Sequence, residues 1–461
     1  MAKKNEIDMT SGPLLKKILI FTIPLILTSI LQLLFNAADI IVVGRFAGDD
    51  SLAAVGSTGS IVNLIVNLFI GLSIGANVIV SRYCGANKQE YVSKSVHTSM
   101  TLSVIGGFVI MAIGLFISKP MLVWMDTPES ILPLADTYVK IYFLGMPANM
   151  IFNFGSAVLR AKGDTKRPLY FLIISGIVNV ILNLIFVILF HMDVAGVGLA
   201  TIISQYLSMA MLLYCLFKEE GGFKLEIKKL RMEKDMVIEI IKIGLPCGIQ
   251  SMLFSFSNVL IQSSINSFGN IAVAGNSAAV NIEGFVYVSM NAFSQAAISF
   301  TGQNLGAGKY SNINRIMKYT VCCAFVVGLV LGQSCYYAGR PLLSIYTENP
   351  AVIEAGLTRL GIVSFLYFTC GIMDAIVGVL RGLGYSLTPM IVTLLGVCAL
   401  RVVFLSTAFY LPIFHYLEVV YYLYPISWTI TIAAHLITYK IVYNRDIKAF
   451  VLKEKNNAVQ E

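Results

Sequence analysis

Leu159-Arg160-Ala161-Lys162-Gly163-Asp164-Thr165-Lys166-Arg167-Pro168 returns 221 residues later as Leu380-Arg381-Gly382-Leu383-Gly384-Tyr385-Ser386-Leu387-Thr388-Pro389. Leu, Arg, Gly and Pro keep their places in both copies. Ile23-Pro24 upstream matches Leu245-Pro246, and Gly85-Ala86-x-Lys88 matches Gly306-Ala307-x-Lys309. Matches in the same order at an offset of 221–222 residues mark an internal duplication. What lies between them sets the fold class. The 461-residue chain is 57% hydrophobic and 13% charged, with a mean hydropathy of +0.79. Soluble domains carry about 25% charged residues, so this chain cannot cover a water-facing surface. An ordinary cytosolic enzyme, a disordered protein and a nucleic-acid binder are excluded, despite the formal +8. The apolar runs are long and unbroken, unlike the period-two alternation of an outer-membrane barrel. Their backbone polar groups must be satisfied within helices.

Hydropathy places twelve spans of roughly 20–25 residues, the length a ~30 Å hydrocarbon core requires. They lie near Leu14–Val43, Leu52–Val80, Val92–Ile117, Leu134–Leu159, Pro168–Phe190, Val194–Phe217, Val237–Asn266, Ala272–Phe300, Arg315–Tyr337, Gly356–Leu380, Pro389–Leu411 and Leu417–Ile441. The expected organisation is an N-terminal stretch 1–13, an N-lobe 14–217, a linker 218–236, a C-lobe 237–441 and a tail 442–461. Six spans per repeat is an even number, so both lobes enter the membrane in the same direction. A pseudo-two-fold axis along the membrane normal should relate them, as in parallel-repeat secondary transporters. The fold class is therefore an all-α polytopic membrane protein.

Charge sets the orientation. Twenty-seven of the 33 Lys and Arg fall on the side of both termini, and five (Arg45, Lys119, Lys140, Arg340, Arg359) on the other. The positive-inside rule makes both termini of this multi-pass membrane protein cytoplasmic. The basic excess is thus a topology signal, and its partner is membrane lipid rather than nucleic acid. The N-terminus carries no cleavage pattern of a signal peptide. Eight cysteines without a C-x-x-C read as small packing residues. No P-loop or dinucleotide fingerprint is present, so ATP-driven transport has no support. His97, His191 and His415 sit near span ends, and His435 reads as a core residue. The linker Lys218–Asp235 reads as a solvated connector.

The six-plus-six spans, the Pro24/Pro246 pair, the Arg-x-x-Gly-x-x-x-x-Pro repeat and the turn Gly196-Val197-Gly198-Leu199-Ala200-Thr201 resemble the multidrug and toxic compound extrusion (MATE) family. The likeness runs from Leu14 to about Ile441. It implies two six-helix lobes around a central cavity and export of organic cations coupled to inward Na⁺ or H⁺, with no cofactor and no enzymatic step.

The charges within the spans pose the functional question. Asp39, Glu283 and Asp374 are the acidic residues there, and Arg401 the basic one. Each costs at least ~2.5–3.5 kcal/mol at the bilayer centre on insertion scales, so such residues line a bundle interior or a water-filled cavity. Three acids against one base make a field that suits H⁺, Na⁺ and organic cations. Gln32, Asn36 and Asp39 follow i, i+4, i+7 spacing and share one helix face, and Asn179 and Asn183 stand one turn apart. A carboxylate with amide oxygens and a hydroxyl is hard-cation chemistry. The resemblance implies that Asp39, Asn179, Asn183 and Thr201 form the N-lobe cation site, a possible Na⁺ site at Asp39, with Gln32 lining the cavity. Many relatives carry a second acid where this chain has Asn183. In the second half Glu283, Tyr287, Met290, Asn291 and Ser294 form one stripe, and Asp374 precedes Arg381 by seven residues, as Asn153 precedes Arg160. Asn36, Asn153, Tyr287 and Asn291 are candidate cavity residues beside Gln32, and Glu283 and Asp374 candidate coupling groups. The short turn between spans ten and eleven assigns Arg401 to Asp374 as a structural ion pair. Glu283 is then the group left to exchange a proton.

These residues point to a monomeric cation-coupled antiporter for small cationic amphiphiles. A flippase for a lipid-linked saccharide is the alternative from the same wider superfamily. It would need cavity arginines for an anionic head group. An intramembrane enzyme would need a nucleophile–base pair or metal cluster, and no such spacing occurs. A passive channel fits a duplicated chain with midplane carboxylates less well than alternating access does.

Overall fold

The computed structural model describes residues 6–125, 127–452 and 454. Lys3, Lys4, Lys453 and Lys455, counted above for orientation, lie outside them. The helices are α1 (Leu14–Phe46), α2 (Asp49–Gly85), α3 (Gln89–Trp124), α4 (Leu132–Leu144), α5 (Met146–Lys162), α6 (Lys166–Leu184), α7 (Asp193–Phe217) and α8 (Lys234–Asn266). There follow α9 (Asn270–Gly306), α10 (Ser311–Tyr337), α11 (Gly339–Ser344), α12 (Pro350–Arg359), α13 (Phe368–Gly382), α14 (Leu387–Thr393), α15 (Leu400–Ser406) and α16 (Leu417–Val442). π-helical turns at Ile185–Leu189, Leu360–Ser364, Leu394–Ala399 and Tyr443–Ile447 extend α6, α12, α14 and α16. Among the described residues ten helices are long and apolar enough to cross a membrane, and the pair Pro350–Ser364 and Phe368–Gly382, bent by 43°, makes an eleventh span. The fourth expected span is α4 plus α5, broken at Gly145. The chain is an all-helical membrane protein whose helix order agrees with twelve spans.

The duplication is visible in backbone geometry. After α5, Gly163 turns left-handed at φ 103°, Gly163 N donates to Arg160 O and Asp164 N to Leu159 O. After α13, Gly384 does the same at φ 95°, with Gly384 N to Arg381 O and Tyr385 N to Leu380 O. This is the Schellman helix stop, and only glycine adopts that conformation without a Cβ penalty. The proline five residues on falls in the first turn of the next helix, where a missing N–H costs nothing. The repeated motif therefore encodes one helix end and the next helix start.

Packing divides the chain into two units that do not coincide with its two halves. One comprises Met1–Ile7 and Leu27–Gly248, the other Asp8–Ile26 and Ile249–Glu461. The first part of α1 thus packs in unit 2, where Phe21 meets Phe300 edge-on at 5.5 Å and Asn304 Nδ2 donates to Met9 O. The first part of α8 packs in unit 1. There Gly71 and Gly75 of α2 meet Gly244 and Gly248 of α8 so closely that a Cβ on Gly71 would stand 2.2 Å from Gly248 N. Four-residue glycine spacing on both helices permits this backbone approach. Both changes of unit come within a turn of a helix-interior proline, Pro24 or Pro246. Proline removes one backbone hydrogen bond and loosens the helix there.

The linker is more than a solvated connector. Gln89 Oε1 accepts from Gly222 N, His97 Nε2 from Glu226 N and Thr98 Oγ1 from Glu233 N, so it is fastened along α3. Glu219 closes an ion network with Lys162 and Arg167, and Lys162 also reaches Glu6 at 2.6 Å. Burial alone would raise the Glu219 carboxyl, but the Lys162 hydrogen bond and the Arg167 charge outweigh it and hold the group below its ordinary range.

Candidate functional site

In unit 1 the candidate cation site is built on α1, α6 and α7. α1 seats against α6 where Gly176 faces the Phe35 ring. A Cβ on Gly176 would stand 1.9 Å from Phe35 Cε2. Phe35 lies one turn before Asp39, while Gly176, Asn179 and Asn183 share one face of α6. This contact sets the register that brings the polar groups together. Gly176→Val is therefore expected to destabilise unit 1 by about 1–3 kcal/mol through overpacking, read as a lowered melting temperature in detergent. An unchanged melting temperature would show that α1 is not seated there.

The half-buried Asp39 carboxylate accepts from Asn183 Nδ2 at 2.5 Å. Asn183 Nδ2 also faces Asn179 Oδ1 at 3.4 Å. The Thr201 hydroxyl, which donates to Val197 O at 2.9 Å, lies beside the same carboxylate, and Tyr138 and Tyr142 stand within range of its charge. Asn179, Asn183 and Thr201 thus stand around Asp39, the grouping that the family resemblance implies. None of the described Lys or Arg residues pairs with it. Asn183 Oδ1 is a buried acceptor with no hydrogen-bond partner among the described residues. A carboxylate, two amide oxygens and a hydroxyl form a donor set for H⁺ or a hard monovalent cation, with one acceptor already free. Gln32 and Asn36 are exposed on α1, and Asn153 instead donates to Asn149 at 2.9 Å.

Unit 2 departs from the expected pairing. Glu283 is not left without a counter-charge: its Oε2 accepts from Arg359 Nη2 at 2.7 Å and Nε at 3.2 Å, and its Oε1 from Ser364 Oγ at 3.1 Å. Arg359 Nη1 donates to Asn276 Oδ1 at 2.8 Å, and the whole group is buried. Arg359 was expected in an outside loop. It is drawn inward because α12 packs on α9 through Gly356 and Gly275, where a Cβ on Gly275 would stand 2.7 Å from Gly356 N. The π-helical turn Leu360–Ser364 that follows carries Ser364 to the same carboxylate, and the 43° bend comes after it.

Asp374 and Arg401 do not form the expected ion pair. Asp374 Oδ2 faces Asn291 Nδ2 at 3.4 Å, Tyr287 lies within range of its charge, and Ser294 Oγ donates to the Asp374 backbone oxygen at 2.8 Å. Arg381, two turns on, is the cation acting on it. Arg401 points to α16 instead, donating from Nε to Ser427 Oγ at 2.9 Å. The π-helical turn Leu394–Ala399 ends just before Arg401, whose guanidinium lies among the Tyr424 and Trp428 rings of α16. Three of the four π-helical turns adjoin a residue of these clusters: Asn183, Arg359 or Arg401. Arg359 joins Arg401 as a buried arginine of unit 2. Glu283 is neutralised by Arg359, while the side-chain hydrogen bonds to Asp39 and Asp374 come from neutral amides, with Arg381 acting on Asp374 from two turns away. Sequence reasoning missed Arg359, Asn276 and Ser364. The available signal was that Arg359 lies inside the apolar run Gly356–Leu380.

Comparison with known proteins follows the duplication. The family profile described as MatE matches twice, at residues 24–185 and 246–407. The probable multidrug resistance protein YpnP of Bacillus subtilis is 28% identical over 86% of this chain and 88% of its own length. The multidrug export protein MepA of Staphylococcus aureus is 23% identical over 87% and 88%. The crystal structure of the Vibrio cholerae MATE transporter VcmN superposes with a TM-score of 0.85 at 23% identity, covering 94% of this chain and 98% of that one. At that identity the superposition speaks to the fold.

Proposed function

Because the chain belongs to the MatE family, whose members are transporters and not enzymes, we propose that it is a secondary active antiporter. It exports small cationic amphiphilic drugs in exchange for H⁺ or Na⁺, from a bacterial cell membrane with both termini cytoplasmic. The observation that carries this reading is Asp39, a half-buried carboxylate that accepts from Asn183, has Thr201 beside it and has no fixed counter-ion among the described residues. An intramembrane carboxylate without a partner favours one positive charge at a time. A proton, a sodium ion and a cationic substrate then exclude one another there, and mutual exclusion is what an exchange cycle needs. Asn179, Asn183 and Thr201 supply the neutral oxygens that would hold the ion. Asp374, with Asn291 and Tyr287, offers a second such position in unit 2. The names of the relatives, multidrug resistance and multidrug export proteins, agree with a substrate class defined by charge and amphipathicity.

The test is purified protein in liposomes loaded with an ethidium-like dye, with an inward proton gradient or an inward Na⁺ gradient imposed separately. Dye should leave under one gradient and stay when both are collapsed. Dye retention under every gradient, together with translocation of a lipid-linked sugar, would replace this reading by the flippase.

A further inference from the structure

We propose that unit 2 contains a buried site for a monatomic anion, chloride in the cell, bound by Arg401 beside Trp428. This site is independent of the exchange mechanism above and of the Asp39 cluster. Arg401 is fully buried (0% exposed) and Trp428 is 2% exposed. The guanidinium lies over the Tyr424 ring at 4.3 Å, with the Trp428 ring at 5.6 Å and the Phe254 ring at 5.9 Å. Arg359 stands 5.0 Å from the centroid of the same Tyr424 ring, so two guanidinium groups contact one tyrosine. Glu283 neutralises Arg359, leaving the charge of Arg401 uncompensated.

The hydrogen bonds are unbalanced in the same direction. Ser427 Oγ accepts from Arg401 Nε and donates to Tyr424 O, which uses the hydroxyl. Arg401 Nη1, Arg401 Nη2, Trp428 Nε1 and the Tyr421 hydroxyl are all buried with no hydrogen-bond partner among the described residues. Three of these four are N–H groups that can only donate. Aromatic faces offset part of the cost of burying a guanidinium, but an unpaired buried charge still carries a large penalty. A water molecule would accept hydrogen bonds and leave the charge in place. An anion satisfies both. The aromatic rings packed around the guanidinium and its complete burial favour a single atom over an oxyanion or a substrate carboxylate.

The chain has two tryptophans, and the other, Trp124, is 84% exposed. Trp124→Phe therefore makes Trp428 the sole indole reporter. Iodide titrated against gluconate at constant ionic strength should quench its fluorescence saturably, and chloride should reverse the quenching by competition. Arg401→Gln should weaken the apparent iodide affinity at least tenfold. Wild-type protein, which needs no substitution to fold, should melt at a higher temperature in chloride than in gluconate. Quenching that rises linearly with iodide and ignores chloride would overturn the site. So would an Arg401→Gln protein that quenches as wild type does, or a wild-type melting temperature indifferent to the anion.

Discussion

Asp39→Asn is expected to lower dye export by at least ~100-fold, which is about 2.7 kcal/mol of lost driving interaction, while the protein inserts and melts as wild type does. The amide oxygen that replaces the carboxylate can still accept from Asn183 Nδ2, so the contact joining α1 to α6 survives. The Phe35–Gly176 seating is untouched. What disappears is the negative charge, and with it the competition between coupling ion and cationic substrate. The measurement is the initial rate of dye efflux from liposomes under the gradient that drives wild-type protein, paired with a melting curve in detergent. Efflux at the wild-type rate would make Asp39 a structural residue. A collapsed melting curve would mean that its charge holds the helices together.

The second large effect separates the two acids of unit 2, in the reverse sense to that expected from chain order. Glu283→Gln should destabilise the protein by about 3–5 kcal/mol, the usual cost of removing one member of a buried ion pair. It leaves Arg359 buried with its charge uncompensated, fastened only to Asn276 and a neutral amide. The double variant Glu283→Gln/Arg359→Gln should recover part of that loss, because the orphaned charge goes as well. Asp374→Asn removes no ion pair and should melt near wild type while losing export. Melting curves of the four proteins, with efflux rates for those that fold, decide the matter. A stable Glu283→Gln protein, or an unstable Asp374→Asn one, would restore the original division of roles.

The reason that division was misjudged is instructive. Asp374 and Arg401 lie on helices joined by a short turn, and chain adjacency made them natural partners. Adjacency constrains which helices neighbour one another, but not which way a side chain faces around the helix axis. Arg401 faces Ser427 and the aromatic rings of α16 instead. Arg359 was misplaced for a related reason. It stands one turn after Gly356, whose close approach to Gly275 of α9 brings it against Glu283, and neither partner is visible from the hydropathy of its own run.

The amino-acid sequence by itself determined the class, the duplication and much of the first candidate site. Hydropathy and charge density depend on composition, so they survive without coordinates. The Leu-Arg-x-x-Gly-x-x-x-x-Pro motif is local too, since a left-handed glycine and a first-turn proline act within ten residues of chain. Gln32, Asn36 and Asp39, or Asn179 and Asn183, could be grouped because helical periodicity is a property of each helix alone. Tertiary structure decided everything that depends on two helices meeting. It paired Glu283 with Arg359, turned Arg401 into an aromatic cage, and exchanged the first parts of α1 and α8 between the packing units. The first and last of these outcomes rest on close backbone approach at Gly71, Gly75, Gly244, Gly248, Gly275 and Gly356. A glycine in an apolar run carries no mark of which distant glycine it will face, so the contact exists only once the helices have packed.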